Sequence, residues 1–388
     1  MAAGPTSAGE LLQLFRSGEV STRSQLQQAT GLARSTLTYR VDALLASGYL
    51  TEDGNVVDVR RGRPTTRLRV NDQATTVLVA DLGATHGRLA VSTAGGDVLT
   101  ETVIESSIDK GPGTVLATVT GELDTLLRRS GRPADTLRGV GLGVPGPVNW
   151  RTGRIARSIS MPGWDNYPVR DHLTSYYSVP AVVDNDANLL GLGEQRRIYP
   201  SAHLVLFVKV GTGIGASMIL DGELLRGSDS AEGDIGHAKI IGVEETCLSC
   251  GARGCLAATA SGRAMIRDLR RLGHEPATTR DVVDLVRQGD PDAVRIVTAA
   301  GRALGDVLST AVSLLNPDVV VIGGDIAHAH ERFLLGVRDT LLNRSQPLAT
   351  AHLLIAPTVL GDRAGITGAA AMVADVIFGS EAVDSRVN

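Results

Sequence analysis

The sequence predicts a small winged helix-turn-helix domain followed by an α/β body of two lobes. Three observations support this: helical segments and clustered arginines in the first 70 residues, apolar strands that end in glycine-containing turns, and a change of composition near Thr76. Strands of this kind are typical of α/β folds that bind ligands at the carboxyl ends of their strands. We place the winged domain at 1–72, the N-terminal lobe at 73–195 and the C-terminal lobe at 196–388. The last helix of the chain can return to the N-terminal lobe.

Three short helices are predicted before residue 50. Apolar residues recur at helical spacing at 8–17, 21–31 and 34–47, and glycines close the second and third segments. Two helices joined by a tight turn form a helix-turn-helix. Ala33 occupies the N-cap of the third helix, where the missing side-chain acceptor costs about 1 kcal/mol. The polar face of this helix offers side chains suited to base edges and phosphates: Arg34, Ser35, Thr36, Tyr39 and Arg40. The alternative is a helical domain whose polar face is merely solvated.

A basic β-wing is predicted after the third helix. The segment 49–51 is strand-like, Asp53, Gly54 and Asn55 predict a turn, and 56–70 completes the wing. The first 70 residues hold nine arginines and six acids, a net charge of +3, which leaves −7 for the rest of a chain whose total is −4. Positive charge is therefore concentrated where a polyanion would bind. The wing residues expected to reach phosphates or a minor groove are Arg60, Arg61 and Arg63.

Three apolar strands of the body end in turns that could bind phosphate. The strands cover 77–80, 204–210 and 319–322. Backbone N–H groups in glycine turns can approach an anion closely, and a nearby acid can orient a metal. The turn residues are Asp81, Gly83, Thr85, Gly211, Thr212, Gly213, Gly323 and Gly324. Further along, Gly361, Gly365 and Gly368 precede a predicted final helix over about 369–376.

An acidic cluster lies between the first two turns, at the end of another apolar segment. Asp184, Asn185 and Asp186 lead into a helix that starts near Leu189. A carboxylate placed there could take a proton from a ligand hydroxyl that attacks a phosphoryl group. The alternative is an ordinary Asp/Asn turn that caps the helix.

All three cysteines fall within nine residues, shortly after a histidine. His237, Cys247, Cys250 and Cys255 supply a complete Cys3His donor set, which predicts a closed, structural zinc site. The alternative is a group of buried free thiols. The first 20 residues lack a signal-peptide pattern and no apolar run reaches membrane length, so we expect a cytoplasmic, nucleoid-associated protein with no membrane partner.

Together these residues resemble the ROK family (repressor, open reading frame, kinase), whose body has the actin/hexokinase-like fold. The resemblance implies that Asp186 occupies the kinase base position and that Asn185 contacts a sugar hydroxyl. It also implies that His237 both binds zinc and lies beside the sugar, and that Gly323 and Gly324 form the adenine-side turn. The motifs that carry it are Asp81-x-Gly83-x-Thr85, Gly143 to Val148, Pro162-Gly163-Trp164, Asn185 to Asn188, Gly211 to Gly215, Gly236-His237 and Cys250-Gly251-x-x-Gly254-Cys255.

The chain departs from the family's kinases at positions that bind ligand. Asp234 and Ala257 stand where the kinases carry glutamates that hold sugar hydroxyls. Loss of one such charge-assisted hydrogen bond weakens binding by roughly 1.5–3 kcal/mol. Ala84 replaces a usual glycine and His86 a frequent lysine in the first turn. These departures argue against ATP and Mg²⁺ as cofactors and make Asp186 a vestigial base.

The sequence therefore predicts a ROK-type transcriptional regulator, a repressor that binds operator DNA as a homodimer or homotetramer. Its effector would be a sugar or sugar phosphate, held by Asn185, Asp186, Asp234 and His237. One alternative is an ATP-dependent sugar kinase with an accessory DNA-binding head. Another is a body that binds no small molecule and serves only for oligomerisation.

Overall fold

The computed structural model of the protein describes residues 6–57, 64–156 and 161–387. The predicted wing arginines Arg60, Arg61 and Arg63 lie outside the described residues.

The described part of the first 70 residues forms three helices and a two-stranded sheet. Ser7 and Glu10 make a reciprocal capping box at the first helix, Thr22 caps the second, and Gly31 ends it at φ +67°. Ala33 gives the third helix no side-chain cap. The elements are α1 (Ala8–Arg16), α2 (Arg23–Thr30), α3 (Arg34–Ala46), β1 (Leu50–Val57) and β2 (Pro64–Val70).

The predicted turn at Asp53, Gly54 and Asn55 is wrong. These residues belong to β1, which pairs antiparallel with β2 from Leu50 to Val57, and the register shifts between Glu52 and Asn55. Gly54 has φ +72°, which introduces a β-bulge that bends the strand without reversing the chain.

The N-terminal lobe is a five-stranded mixed sheet with helices on its faces. The strand order is β5-β4-β3-β6-β9; β3, β6 and β9 are parallel, and β4 runs antiparallel to β3 and β5. Its strands are β3 (Thr76–Leu82), β4 (His86–Thr93), β5 (Val98–Glu105), β6 (Leu137–Val144) and β9 (Ala181–Asn185), with a small hairpin of β7 (Val148–Asn149) and β8 (Arg154–Ile155). Its helices are α4 (Pro112–Ser130), α5 (Val169–Tyr177) and α6 (Asp186–Arg197).

The C-terminal lobe repeats this plan. Its sheet has the order β12-β11-β10-β13-β14, with β10, β13 and β14 parallel. The strands are β10 (Leu204–Val210), β11 (Ile214–Leu220), β12 (Glu223–Leu224), β13 (Val319–Gly323) and β14 (Leu354–Pro357). The helices are α7 (Ala257–Ala260), α8 (Gly262–Arg271), α9 (Thr279–Arg287), α10 (Pro291–Leu315), α11 (His330–Arg344) and α12 (Pro347–Thr350). The predicted two-lobed α/β body is therefore confirmed.

The final helix predicted over about 369–376 begins earlier in the structure than expected, and it is followed by one more helix. Helix α13 spans Ala364–Ile377, and α14 (Ser380–Val387) follows it. Gly365 and Gly368 lie inside α13, where neighbouring residues approach too closely for a side chain. A Cβ on Gly365 would lie 2.0 Å from Asp81 Oδ2, and a Cβ on Gly368 would lie 1.8 Å from the Leu189 carbonyl oxygen. No single described helix is long and apolar enough to cross a membrane; one bent pair, Gly361–Ile377 with Ser380–Val387, passes by length and composition alone.

The last two helices join the body to the N-terminal helices. Helix α13 packs against β3, β6 and α6 of the N-terminal lobe, and α14 packs against α1. The Gly9 N–H donates to Asp384 at 2.8 Å, and the side chain of Gln13 donates to the Phe378 carbonyl at 2.6 Å. One apolar core runs through this junction, including Leu11, Leu12, Val77, Ala369 and Phe378.

Candidate ligand cleft and metal centre

The acidic cluster lies where β9 ends and α6 begins, and this helix starts at Asp186, earlier than the predicted start near Leu189. Asn185 caps α6: its side-chain oxygen accepts from the Ala187 N–H at 2.9 Å, and its amide donates to the Gly146 carbonyl at 3.0 Å. The helix-capping alternative is therefore confirmed for Asn185. Asp186, the first residue of α6, is 5% exposed.

Lys209, which the sequence analysis did not single out, forms an ion pair with Asp186. It comes from β10, two residues before the Gly211 turn, and its ammonium donates to Asp186 Oδ2. Burial alone would lower the pKa of Lys209, but the attraction of Asp186 and Asp81 outweighs it and raises the pKa. The lysine is therefore a fixed positive charge. The sequence did contain a signal for this ion pair: a lysine within an otherwise apolar strand is expected to be buried, and a buried cation needs an acidic partner.

Asp81, at the end of β3, is the second acid that attracts Lys209. Within the described chain, its buried Oδ1 has no hydrogen-bond partner. Burial, opposed by Lys209 and assisted by repulsion from Asp186, raises the pKa of Asp81 to about 7. The structure thus brings two predicted site residues, Asp81 and Asp186, to one lysine.

A second ionic network, also missed from the sequence, holds the two lobes together beside this site. Arg226 of the C-terminal lobe pairs with Asp184 at the end of β9 and, at 3.5 Å, with Glu232. Its guanidinium lies 5.8 Å from the Trp150 ring, and the backbone N–H of Trp150 donates to Ser230 Oγ at 3.4 Å. Asp184 was visible in the acidic cluster, but Arg226 and Glu232 belong to no motif.

The glycine turns of both lobes lie near Lys209, because Asp81 and Asp325, which flank two of these turns, both attract it; we call this region between the lobes the cleft. The Gly83 N–H donates to the His86 carbonyl at 2.8 Å and closes the β3–β4 turn that contains Thr85. In the C-terminal lobe, the Gly211 N–H donates to the Gly213 carbonyl at 3.0 Å across Thr212. A Cβ on Gly211 would lie 3.7 Å from Asp325, so this turn meets the turn of Gly323 and Gly324. Gly324 has φ +84°.

Charged side chains bridge the cleft near these turns. Arg280 of α9 lies 3.7 Å from Asp325 and 3.6 Å from Asp362, and Arg88 of β4 lies 3.5 Å from Asp362. His86 is partly buried, and this burial lowers its pKa and favours a neutral ring. Arg88 and Arg280 are therefore already paired with acids.

Asp234 and His237 lie in a loop fixed to β11. Gly233 has φ +80°, its carbonyl accepts from the Ala216 N–H at 2.7 Å, and a Cβ there would lie 1.8 Å from the Ala216 carbonyl. Asp234 Oδ1 is 3.9 Å from His237 Nε2. Among the described residues, no hydrogen bond or ion pair joins these two side chains to Asn185 or Asp186.

Strand β11 lies between this loop and the acidic cluster. On its other side, Ser217 Oγ donates to the Ala187 carbonyl at 2.9 Å. Ala257 is buried at the start of α7.

The predicted Cys3His residues come together. Cys247 Sγ lies 3.8 Å from His237 Nδ1, Cys250 Sγ lies 3.7 Å from Cys255 Sγ, and all four donor atoms are within 4.8 Å of one another. A tetrahedron with Zn–S bonds of about 2.3 Å has edges of about 3.8 Å, so the spacing fits a metal ion. A backbone hydrogen bond from Ala252 lowers the pKa of the Cys250 thiol, which favours the thiolate.

The fold and cleft define a two-lobed α/β protein of the sugar-kinase type that carries an additional N-terminal helical domain. The chain belongs to the ROK family: the family model matches residues 77–376. The family prediction made from the sequence is thereby confirmed.

Two kinds of relative match this chain. The xylose repressor of Caldicellulosiruptor bescii is 25% identical over 377 residues, covering 94% of each chain. The glucokinase of Halalkalibacterium halodurans is 27% identical over 303 residues, covering 74% of this chain and 92% of its own. A solved ROK family transcriptional regulator, described as a homologue of the E. coli Mlc protein, superposes with a TM-score of 0.81 at 25% identity and covers 98% of both chains.

Proposed function

We propose that this protein is a sugar-responsive transcriptional repressor of the ROK family. One observation carries the proposal: the repressor and regulator relatives match along 94–98% of the chain, whereas the glucokinase matches 74% of it. A protein that keeps the kinase body and adds the N-terminal domain has the two parts that a ligand-controlled DNA-binding protein needs.

The N-terminal domain acts in this proposal as a winged helix-turn-helix over 1–72, with α3 as the recognition helix. Leu37, Val41 and Leu44 face the core of the domain, which leaves the opposite face free. Tyr39 is 74% exposed, and the rest of that face is exposed or half-buried: Arg34, Ser35, Thr36 and Arg40. The wing arginines Arg60, Arg61 and Arg63 would add contacts to phosphates.

The body over 73–388 acts as the effector-binding part, with lobes divided near residue 195. Asn185, Asp186, Asp234 and His237 would hold the hydroxyls of a sugar. Asp184 and Arg226 join the lobes next to this site, so a bound ligand can alter the angle between the two lobes.

We propose that the Cys3His centre holds a structural zinc ion, which braces the loop of Asp234 and His237. Regulators of this kind act on paired half-sites, and we propose a homodimer or homotetramer.

The test combines footprinting with an effector screen. The full-length protein should protect a site in the DNA flanking its own gene, with an affinity that falls steeply as salt rises. A panel of sugars and sugar phosphates should contain a compound that removes this protection. Absence of any salt-sensitive protection would exclude the repressor function. ATP-dependent phosphorylation of a sugar at a typical enzymatic rate, about 1 s⁻¹ or faster, would favour the kinase alternative.

A further inference from the structure

Lys209 occupies a place in the cleft that neither DNA binding nor sugar binding explains. Its ammonium donates to Asp186 and is also attracted by Asp81 and Asp325. These three acids come from three separate places in the fold: the end of β3, the start of α6 and the turn after β13. One lysine therefore balances the acids that converge on the cleft from both lobes.

The residues present do not fit a metal–nucleotide complex. A divalent ion bound to nucleotide phosphates is held by one or two protein carboxylates, as in kinases. The acids available for this are Asp81 and Asp186, and the ammonium of Lys209 donates to Asp186 and also attracts Asp81. Arg280 is paired with Asp325 and Asp362 near the glycine turns, so it too is engaged.

We propose that Lys209 is an internal counter-ion that takes the charge-balancing place of a divalent cation, so that the cleft binds a neutral hydroxylated effector without metal or nucleotide. This inference rests on the proposed function and names the class of effector: an uncharged sugar, not its phosphate ester.

The local charges support a neutral ligand. The positive groups are Lys209, Arg88 and Arg280, and each already contacts an acid. The acidic groups are Asp81, Asp186, Asp325 and Asp362, and the pKa of about 7 leaves Asp81 partly protonated near neutral pH. A phosphate would add about two negative charges where none of the cations among the described residues is free. A hydroxyl adds none, and it can donate to Asp186 Oδ1, because the lysine uses Oδ2 and no described residue donates to Oδ1.

The test measures binding of Mn²⁺, a spectroscopic substitute for Mg²⁺ with similar oxygen ligands, to the zinc-loaded full-length protein. Lys209→Met removes the counter-ion, and Lys110→Met, at an exposed surface lysine, is the matched control. We expect wild type and Lys110→Met to bind Mn²⁺ weakly. Lys209→Met should bind it about tenfold more tightly or better, and Lys209→Met combined with Asp186→Asn should lose this gain. A folded Lys209→Met variant that gains no Mn²⁺ affinity would overturn the proposal.

A second measurement uses wild type alone, so it remains valid if the variant does not fold. Millimolar inorganic phosphate should raise the melting temperature no more than chloride at equal ionic strength, and Mg²⁺ with a non-hydrolysable ATP analogue should have no effect beyond that of Mg²⁺. Specific protection by phosphate or by the nucleotide would contradict the counter-ion role. Neither result depends on DNA binding, so a failure here is separate from a failure of the repressor function.

Discussion

Arg16 in α1 and Asp375 in α13 form an ion pair that joins the N-terminal domain to the body. The other carboxylate oxygen of Asp375 accepts from Arg196 at 3.1 Å, in the last turn of α6. Because α6 begins at Asp186, a single helix and one shared carboxylate connect the candidate effector site to the first helix of the N-terminal domain. The ring of Phe378 completes the contact, 5.9 Å from the Arg16 guanidinium.

Asp375→Asn should therefore weaken the coupling between effector and DNA. The pair is partly exposed, so the loss in the free energy of unfolding should stay below about 1 kcal/mol. The effector concentration for half-maximal release from DNA should change by about threefold or more, as for other residues that transmit coupling. Glu223→Gln is the control, because Glu223 also pairs with Arg196, at 3.2 Å, but is 78% exposed. Equal release curves for Asp375→Asn and wild type would exclude this route.

Asp81 should make the stability of the body depend on pH. Its pKa is about 7 in the folded protein and near 3.8 when unfolded, so between these values the folded state holds a proton that the unfolded state lacks. The contribution of Asp81 is therefore fully present below about pH 4 and is lost as pH rises towards 7. Asp81→Asn should remove this dependence.

Urea unfolding of the Asp81→Asn variant and wild type from pH 4 to pH 8 tests this. The stability of the variant relative to wild type should increase across that range, by at most about 1.4 kcal/mol per pH unit, and level off above pH 7. A difference that stays constant with pH would show that Asp81 is ionised throughout. Lys209, Asp186, Arg88 and Asp362 act on this carboxylate and are unchanged in both proteins.

Removal of one thiolate should empty the metal centre. Cys247→Ser should lower zinc affinity by more than about a hundredfold. Substitution of residues that only hydrogen-bond to metal ligands already lowers metal affinity by about ten- to a hundredfold, and loss of a ligand should cost more. Metal analysis should find one zinc per wild-type chain and less than one in the variant, whose affinity for the effector should also fall as the Asp234 loop loosens. Ser249→Ala is the control: Ser249 lies between two of the ligands in the sequence but supplies no thiolate, so this variant should keep the metal. A fully loaded Cys247→Ser variant would contradict the assignment.

The DNA-binding face can be tested at one arginine. Arg40→Ala should weaken operator binding by about 1–3 kcal/mol and, if Arg40 contacts a phosphate, reduce the salt dependence by about one unit of slope. Arg129→Ala, at an exposed arginine of α4 on the body, should leave binding unchanged. Titration of a labelled operator at several salt concentrations measures both effects. Equal affinities for the two variants would place the recognition surface elsewhere.

Local sequence signals predicted some elements well and failed at others for an identifiable reason. Helix α3 was predicted within a residue of its observed end because apolar spacing and a closing glycine are local. The sequence analysis placed Gly54 in a turn and Gly365 ahead of the final helix. In the structure Gly54 forms a β-bulge, and Gly365 lies within α13, where the missing Cβ lets the helix approach Asp81. A glycine needed for close packing looks the same in sequence as a glycine needed for a turn.

The candidate site shows the same limit. The four metal donors are close in sequence, so their spacing was enough to predict that they meet. Lys209 and Asp186 lie on different elements, and Arg226 and Asp184 on different lobes. Such pairs depend on how distant strands align, which no single segment determines.

The contact between α6 and α13 should depend on glycine at Gly368. A Cβ there would lie 1.8 Å from the Leu189 carbonyl and 3.0 Å from the Gly193 nitrogen, and both are backbone atoms that cannot move without shifting α6. Gly368→Ala should therefore lower the free energy of unfolding by about 3 kcal/mol or more. Gly121→Ala is the matched control, since Gly121 is exposed within α4 and a Cβ there meets nothing within 4 Å. This control should raise stability by about 0.5–1 kcal/mol through helix propensity alone. Urea midpoints that move in the same direction for both variants would show that close contact of the two helices does not constrain Gly368.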